Sequence, residues 1–224
     1  MGGVIMGEGG RVSHAIGAER AFGGRGSRMP RSARRKQLLA AAQEVFVANG
    51  YHAAAMDDIA ERAGVSKPVL YQHFPGKLDL YLALLDVTCD QVIDNCRAAL
   101  ASTHDNKTRV AAAMAAFYSY VAAENGAFRL VFESDLTSEP AVRELVERVT
   151  TECAAMIADV IHDDTGLPGE ASRLLAVSLV GMAQVSARFW ISETAGISQP
   201  EAVELVSGLA WRGIRGYPRT DENA

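Results

Sequence analysis

Residues 37–78 constrain this chain more than any other stretch. Their apolar positions repeat at helical spacing in three short segments separated by turn residues. Leu38, Leu39, Ala42, Val45 and Phe46 recur at three and four residues, which gives the first helix one buried face. Asn49-Gly50 is expected to end it, since both residues tolerate the left-handed conformation. Asp57 and Asp58 suit the positive start of a second helix, whose inward face is Ile59 and Ala63. Gly64 permits a reversal, Ser66 can cap a third helix, and Pro68 is tolerated in its first turn. Leu70 and Phe74 anchor that helix inward, and Pro75-Gly76 stops it. Lys67, Tyr71, Gln72 and His73 remain on its other sides. A short helix held by a turn, with polar and aromatic groups displayed, is how a helix-turn-helix enters a DNA groove.

The run DDIAERAGVSKPVLYQHFPGKLDLY closely resembles the DNA-binding region of the TetR family of transcriptional regulators. The matching features are Phe46, Gly50 and Tyr51 (F-x-x-x-G-Y), Asp58 to Ala60, Ala63 to Ser66 (A-G-V-S), Leu70 to Phe74 (L-Y-x-H-F) and Lys77. The resemblance covers Ala33 to Leu80. It implies a basic, two-fold symmetric DNA reader with a divergent helical C-terminal domain. The chain departs from the pattern at Ala53-Ala54-Ala55, where the family often carries a Thr or Ser that caps the second helix and touches a phosphate. With the motif in place, Lys67, Tyr71, His73 and Lys77 are expected on phosphates, and Pro68 and Gln72 on base edges. Ser66 joins this set at the start of the helix.

The overall charge of −5 would argue against nucleic acid, but its distribution reverses that reading. Residues 25–80 hold nine Lys/Arg against five Asp/Glu, whereas residues 81–224 hold eleven against twenty. A basic head on an acidic body turns the head toward phosphates. Arg25, Arg28, Arg31, Arg34, Arg35 and Lys36 form a basic run, either a solvated helix start or an arm on the DNA backbone. Beside the motif, Arg31, Arg34 and Arg35 are taken as DNA contacts. Cys89, Cys96 and Cys153 are sparse and lack C-x-x-C spacing, which points to a reducing compartment and to buried small side chains or a redox-sensing thiol. No long apolar run or signal-peptide core is present, so a cytoplasmic protein without membrane association is expected.

The glycine-rich residues 1–27 are expected to be disordered, residues 28–76 to form the DNA-binding unit, residues 77–217 a larger helical domain, and residues 218–224 a polar tail. Helices are expected over 77–101, 106–123, 125–134, 139–162, 170–194 and 199–215, with a loop at 165–169. The fold class is all-α.

Two readings stay open for the last two helices: intramolecular core, or a homodimer interface of the kind the resemblance implies. The second rests on Ser178, Gly181, Val206, Ala210 and Ile214, and fits a palindromic operator read by two recognition helices. Met114, Phe117, Tyr120, Phe128, Phe132, Met156, Met182, Phe189 and Trp190 are either ordinary core or the lining of a cavity for an apolar or amphipathic small-molecule effector. Gln184, Ser178 and Arg188 are its polar candidates. No H-E-x-x-H, zinc spacing, G-x-S-x-G, P-loop or G-x-G-x-x-G occurs, so neither enzymatic activity nor a cofactor or metal is expected. The leading expectation is a repressor released from double-stranded DNA by a ligand. The alternatives are a ligand-independent DNA-binding regulator and a helical binding or scaffold protein. Retention of Lys67, Tyr71 and Lys77 favours the DNA readings.

Overall fold

The computed structural model describes residues 29–123, 126–132, 136, 138–192 and 196–214. The extension 1–27 and the tail 218–224 lie outside them. Among the described residues all regular structure is helical: α1 (Arg31–Ala53), α2 (Met56–Arg62), α3 (Lys67–His73), α4 (Lys77–Ala101), α5 (Asn106–Val121), α6 (Ala127–Phe132), α7 (Pro140–Thr165), α8 (Gly169–Ile191) and α9 (Gln199–Ile214). The fold is all-α, with an N-terminal helix-turn-helix and a larger C-terminal bundle.

The small unit closes around the residues read from the sequence. Leu38, Ile59 and Leu70 are fully buried, and Phe74, just past the end of α3, is 2% exposed. Gln37 Nε2 donates to Ala63 O at 2.7 Å, latching the α2–α3 turn onto α1. Arg62 pairs with Glu44 from α2 to α1. Ser66 occupies the cap position of α3 without a side-chain capping bond, contrary to the expected cap. Ala55 precedes α2, which likewise starts without a side-chain cap, in keeping with the Ala53-Ala54-Ala55 departure.

Gly50 breaks α1 as expected, with φ 71° and ψ 169°, but one further turn, Tyr51 to Ala53, follows before the chain leaves. Lys77, the first residue of α4, holds this turn. Its ammonium donates to Tyr51 O at 2.8 Å, His52 O at 3.2 Å and Ala54 O at 2.9 Å, and lies 4.5 Å from the centroid of the Tyr51 ring. A cation at helix-terminal carbonyls satisfies acceptors that the helix leaves open. Tyr81 reinforces the junction edge-on to Phe46 and Tyr51, each at 5.1 Å.

In the larger part, α4 packs on α5 and α7, α8 lies along α7, and α9 lies on α5. One apolar cluster runs from Leu38 of α1 to Ala202 of α9, so the two parts share a continuous core. Arg148 of α7 reaches Asp86 and Asp90 of α4, each at 2.9 Å. α7 extends past its expected end at residue 162 to Thr165, whose buried hydroxyl donates to Ile161 O at 2.6 Å; Gly166, at φ 68°, then terminates it.

The α5–α6 connection presses against α1. A Cβ at Gly126 would clash with Val47 Cγ1, and Gly126 sits at φ 65°. Gly126→Ala is therefore expected to lower stability by about 1–3 kcal/mol through strain and overpacking. Adding Val47→Ala should recover part of that loss in urea denaturation. A single variant with the wild-type midpoint would show that this contact does not hold α1 in place.

Candidate DNA-binding surface and internal cavity

The short helix α3 stands out from the helix-turn-helix with one side buried through Leu70 and the rest accessible. Ser66, Lys67, Pro68, Tyr71 and Gln72 are exposed, Tyr71 by 47%. Lys67 forms an ion pair with Asp57 at 2.5 Å; both side chains are well exposed, so a phosphate can compete for the ammonium. His73 is half-buried at the end of the helix. Its pKa lies below the usual histidine value because of partial burial and then because of Arg31, Arg35 and Arg34. The start of α1 thus bears on the end of α3 electrostatically, and Arg35 touches it. Arg35 lies 4.5 Å from the centroid of the Phe74 ring, and Arg34 donates to Gln37 Oε1 at 2.8 Å. The first turn of α1 carries no acidic residue. Arginines there oppose the helix dipole, a local cost that suits an anion-binding surface better than it suits the helix.

Lys77, expected on a phosphate, directs its three donors to the carbonyls of Tyr51, His52 and Ala54 in this DNA-free structure. The ammonium has three N–H groups and no more. Its role is to join the DNA-binding unit to α4.

The second feature is an internal cavity of about 130 Å³ among α4, α5, α7, α8 and α9. Met114, Phe117, Tyr120 and Phe132 line it as expected. Phe128 instead lies behind the wall, 1% exposed and tilted against Phe132 at 5.0 Å. Met156 and Met182 pack on apolar clusters outside the lining. Trp190 packs on Tyr118 at 5.2 Å and donates from Nε1 to Ile197 O at 2.8 Å. Phe189 is 61% exposed and points away from the cavity. It follows Met182 and Val185 at helical spacing, and only the packing of α8 on α7 decides which side of that helix turns inward. Trp211, Leu179, Cys96 and Cys153 complete the wall and were not in the expected set. Gln184 lines the cavity and donates to Thr150 Oγ1 at 3.2 Å, whereas Ser178 and Arg188 are exposed. The Tyr120 hydroxyl is buried and finds no hydrogen-bond partner among the described residues.

The third feature is an apolar stripe. Leu174, Val177, Val185, Phe189 and Ile191 of α8 and Leu205 and Leu209 of α9 are all exposed by 43% or more. Ser178 and Gly181 fall within this stripe, and a Cβ at Gly181 would meet nothing within 4 Å. Val206 and Ala210, expected at a dimer interface, turn inward instead; Ala210 is 4% exposed and packs with Met114 and Ala183. The side chain of Ile214 lies outside the described residues. By length and composition α8 could cross a membrane, yet its other side, Ala176, Val180, Ala183 and Ala187, is buried in the bundle. No group of three or more metal-ligating side chains occurs among the described residues.

Residues 38–84 match the family model described as bacterial regulatory proteins, tetR family. The chain is 46% identical over 206 residues to the HTH-type transcriptional activator FasR of Mycolicibacterium smegmatis, spanning 91% of this chain and 94% of that protein. The chain belongs to the TetR family of transcriptional regulators. The TetR-like regulator from Rhodococcus sp. RHA1 has the same fold, at TM-score 0.65 and 25% identity over 84% of this chain and all of that one. So does FadR from Bacillus subtilis, solved in complex with stearoyl-CoA, at TM-score 0.66 and 19% identity over 81% and 98% of the two chains. As a TetR-family member, this chain is a DNA-binding transcription regulator that uses its helix-turn-helix.

The geometry separates three kinds of side chain. Gln72→Ala should relax sequence preference, costing about 1–3 kcal/mol on the operator only. Arg31→Ala should weaken binding to all sequences and reduce the salt slope by about one. Lys77→Ala should leave the salt slope unchanged and instead lower stability by about 2 kcal/mol, the scale of a buried charged hydrogen bond. A Lys77→Ala protein with wild-type stability and a reduced slope would return Lys77 to the phosphate backbone.

Proposed function

We propose that this chain is a homodimeric transcriptional regulator whose affinity for a palindromic operator is set by an amphipathic ligand with one long hydrocarbon chain. Residues 28–76 act as the reading unit and residues 77–217 as the ligand-binding and dimerisation unit. Operator binding implies work in the cytoplasm. The observation that carries the reading is the extent of the cavity's apolar lining. Its lining runs from Asn106 to Tyr120 on α5 and from Val149 to Thr165 on α7, about 20 Å along each helix at 1.5 Å per residue. Yet its volume is only about 130 Å³. A cavity near 150 Å³ holds one benzene-sized molecule, so the space takes one end of a hydrocarbon chain and has to widen along the α5 and α7 walls to take the rest. The Arg109 guanidinium is held at the start of α5 by Leu100 O, Thr103 O and Asn106 Oδ1. The unpartnered Tyr120 hydroxyl suits a single polar atom on the chain.

The occurrence of stearoyl-CoA in the Bacillus subtilis protein shows that this fold can house such a chain. The name of the Mycolicibacterium smegmatis relative, an activator, favours activation over the repression expected from sequence. The sign would then follow from where the operator sits relative to the promoter. Switching would pass through α4, which lines the cavity and is tied by Lys77 to the end of α1. A ligand that prefers one spacing of the two recognition helices shifts the population toward it.

A DNA titration tests this. A saturated long-chain acyl thioester should change operator affinity by about 5–150-fold, the usual coupling of 1–3 kcal/mol, and its short-chain homologue should not. Phe117→Ala should blunt the response while leaving unliganded affinity intact. Unchanged affinity at saturating acyl thioester would leave a ligand-independent regulator.

The stripe on α8 and α9 supplies the dimer in this reading, because contiguous apolar surface of this kind marks a protein interface. Leu205→Asp with Leu209→Asp should give a monomer by sedimentation and a large loss of operator affinity, since each half-site alone is weak. A dimer of undiminished stability would place the interface elsewhere.

A further inference from the structure

Cys96 and Cys153 meet inside the cavity. Cys96 stands one turn after Val92 and one turn before Leu100 on α4, and Cys153 stands between Val149 and Ile157 on α7; all six line the same space. Cys153 is 6% exposed and Cys96 is half-buried, and they stand five and six residues beyond the two ends of the Arg148–Asp90 ion pair on the packed helices α7 and α4. Cys89, on the same helix, is fully buried, does not line the cavity, and has its thiol pushed up to about 12 by burial.

We propose that Cys96 and Cys153 form a dithiol that is oxidised to a disulfide by an apolar organic hydroperoxide entering the cavity. This inference rests on the channel described above but not on the operator reading. The pairing prepares the two sulfurs for different roles. Cys96, the less buried of the two, meets the oxidant first and is the attacking thiolate; its thiol is held below the usual range beside Cys153, while burial holds Cys153 above it. Cys153 is the resolving thiol. The Cys96 sulfur attacks the distal oxygen of the hydroperoxide. The O–O bond breaks, the alkoxide takes a proton and leaves as an alcohol, and Cys96 becomes a sulfenic acid. The Cys153 sulfur then attacks the Cys96 sulfur, the S–O bond breaks, and hydroxide leaves with the Cys153 proton as water. Two thiols and one hydroperoxide give one disulfide, one alcohol and one water. The apolar walls select the oxidant, because hydrogen peroxide gains nothing by leaving water whereas an alkyl or aryl hydroperoxide does. The product crosses the channel: the sulfurs close to about 2.05 Å and tie α4 to α7 through the space a chain would occupy.

The test uses the reduced full-length protein, cumene hydroperoxide and hydrogen peroxide. Cumene hydroperoxide should remove about 2 Da by intact mass, the two hydrogens of a dithiol. Non-reducing peptide mapping should link the Cys96 and Cys153 peptides and leave Cys89 as a thiol. Hydrogen peroxide should be slower by about tenfold or more, since burying one aryl ring is worth over 1.4 kcal/mol. Cys153→Ser and Cys153→Ala should stop at a sulfenic acid on Cys96 that dimedone traps, and Cys96→Ser should lose the fast reaction. Absence of the linked peptide, a link through Cys89, or equal rates with the two peroxides would overturn the proposal. Because no operator is used, a failed acyl response with an intact disulfide result would remove the ligand reading alone.

Discussion

The Lys77 ammonium at the end of α1 is the interaction on which the rest of the architecture depends. One cation serves three carbonyls of a turn that Gly50 has opened, and the Tyr51 ring covers it. Hydrogen bonds to charged groups are each worth roughly 1.5–3 kcal/mol, and a carbonyl left buried without a partner costs a similar amount. The junction therefore resists being pulled apart. Lys77 is also the first residue of the 25-residue helix α4. The orientation of the DNA-binding unit is thus carried by α4, and a tilt of α4 becomes a movement of α3. The Phe46, Tyr51 and Tyr81 rings widen the attachment from a point to a face.

α4 meets two other constraints further along. Arg148 ties it to α7 through Asp86 and Asp90, and the cavity begins about one turn beyond. The brace and the Lys77 junction lie on the head side of the cavity wall. In the proposed mechanism a chain in the cavity loads α4 on the far side of these ties. The Cys96–Cys153 pair lies on the same α4–α7 seam, so ligand and oxidant would act on one mechanical element. α8 serves two surfaces at once: its small residues Ala176, Ala183 and Ala187 let it lie close on the bundle, while Leu174, Val185 and Phe189 face outward.

Much of the DNA-binding unit was legible from spacing because its helices are short and local. Leu38, Ile59, Leu70 and Phe74 each fall where a three-residue or four-residue repeat sends them inward, and Gly50 breaks the first helix where its backbone freedom suggests. Lys67, Tyr71 and Gln72 stay exposed for the same reason. The carbonyl bonds of Lys77 were not legible because its partners are backbone groups more than twenty positions earlier, which no side-chain pattern reveals. In the C-terminal bundle, Phe117 and Phe132 line the cavity, whereas Phe189 and Trp190 do not. α8 is apolar on more than one side, so periodicity alone does not say which side meets α7. The same ambiguity exchanged Val206 and Ala210, which face the core, for Leu205 and Leu209, which do not.

The sequence by itself determined the helices, their order, the turn chemistry of the reading unit and its basic charge, since each follows from local spacing and backbone preference. It also carried the TetR-family motif. Only the tertiary structure decided which faces of α8 and α9 are covered, that Lys77 bonds the carbonyls at the end of α1, which residues line the cavity, and that two cysteines fifty-seven residues apart line it from facing helices. These depend on how helices pack across long chain separations. An amphipathic pattern limits that packing but does not choose it, because helices with several apolar faces can be buried in more than one rotation.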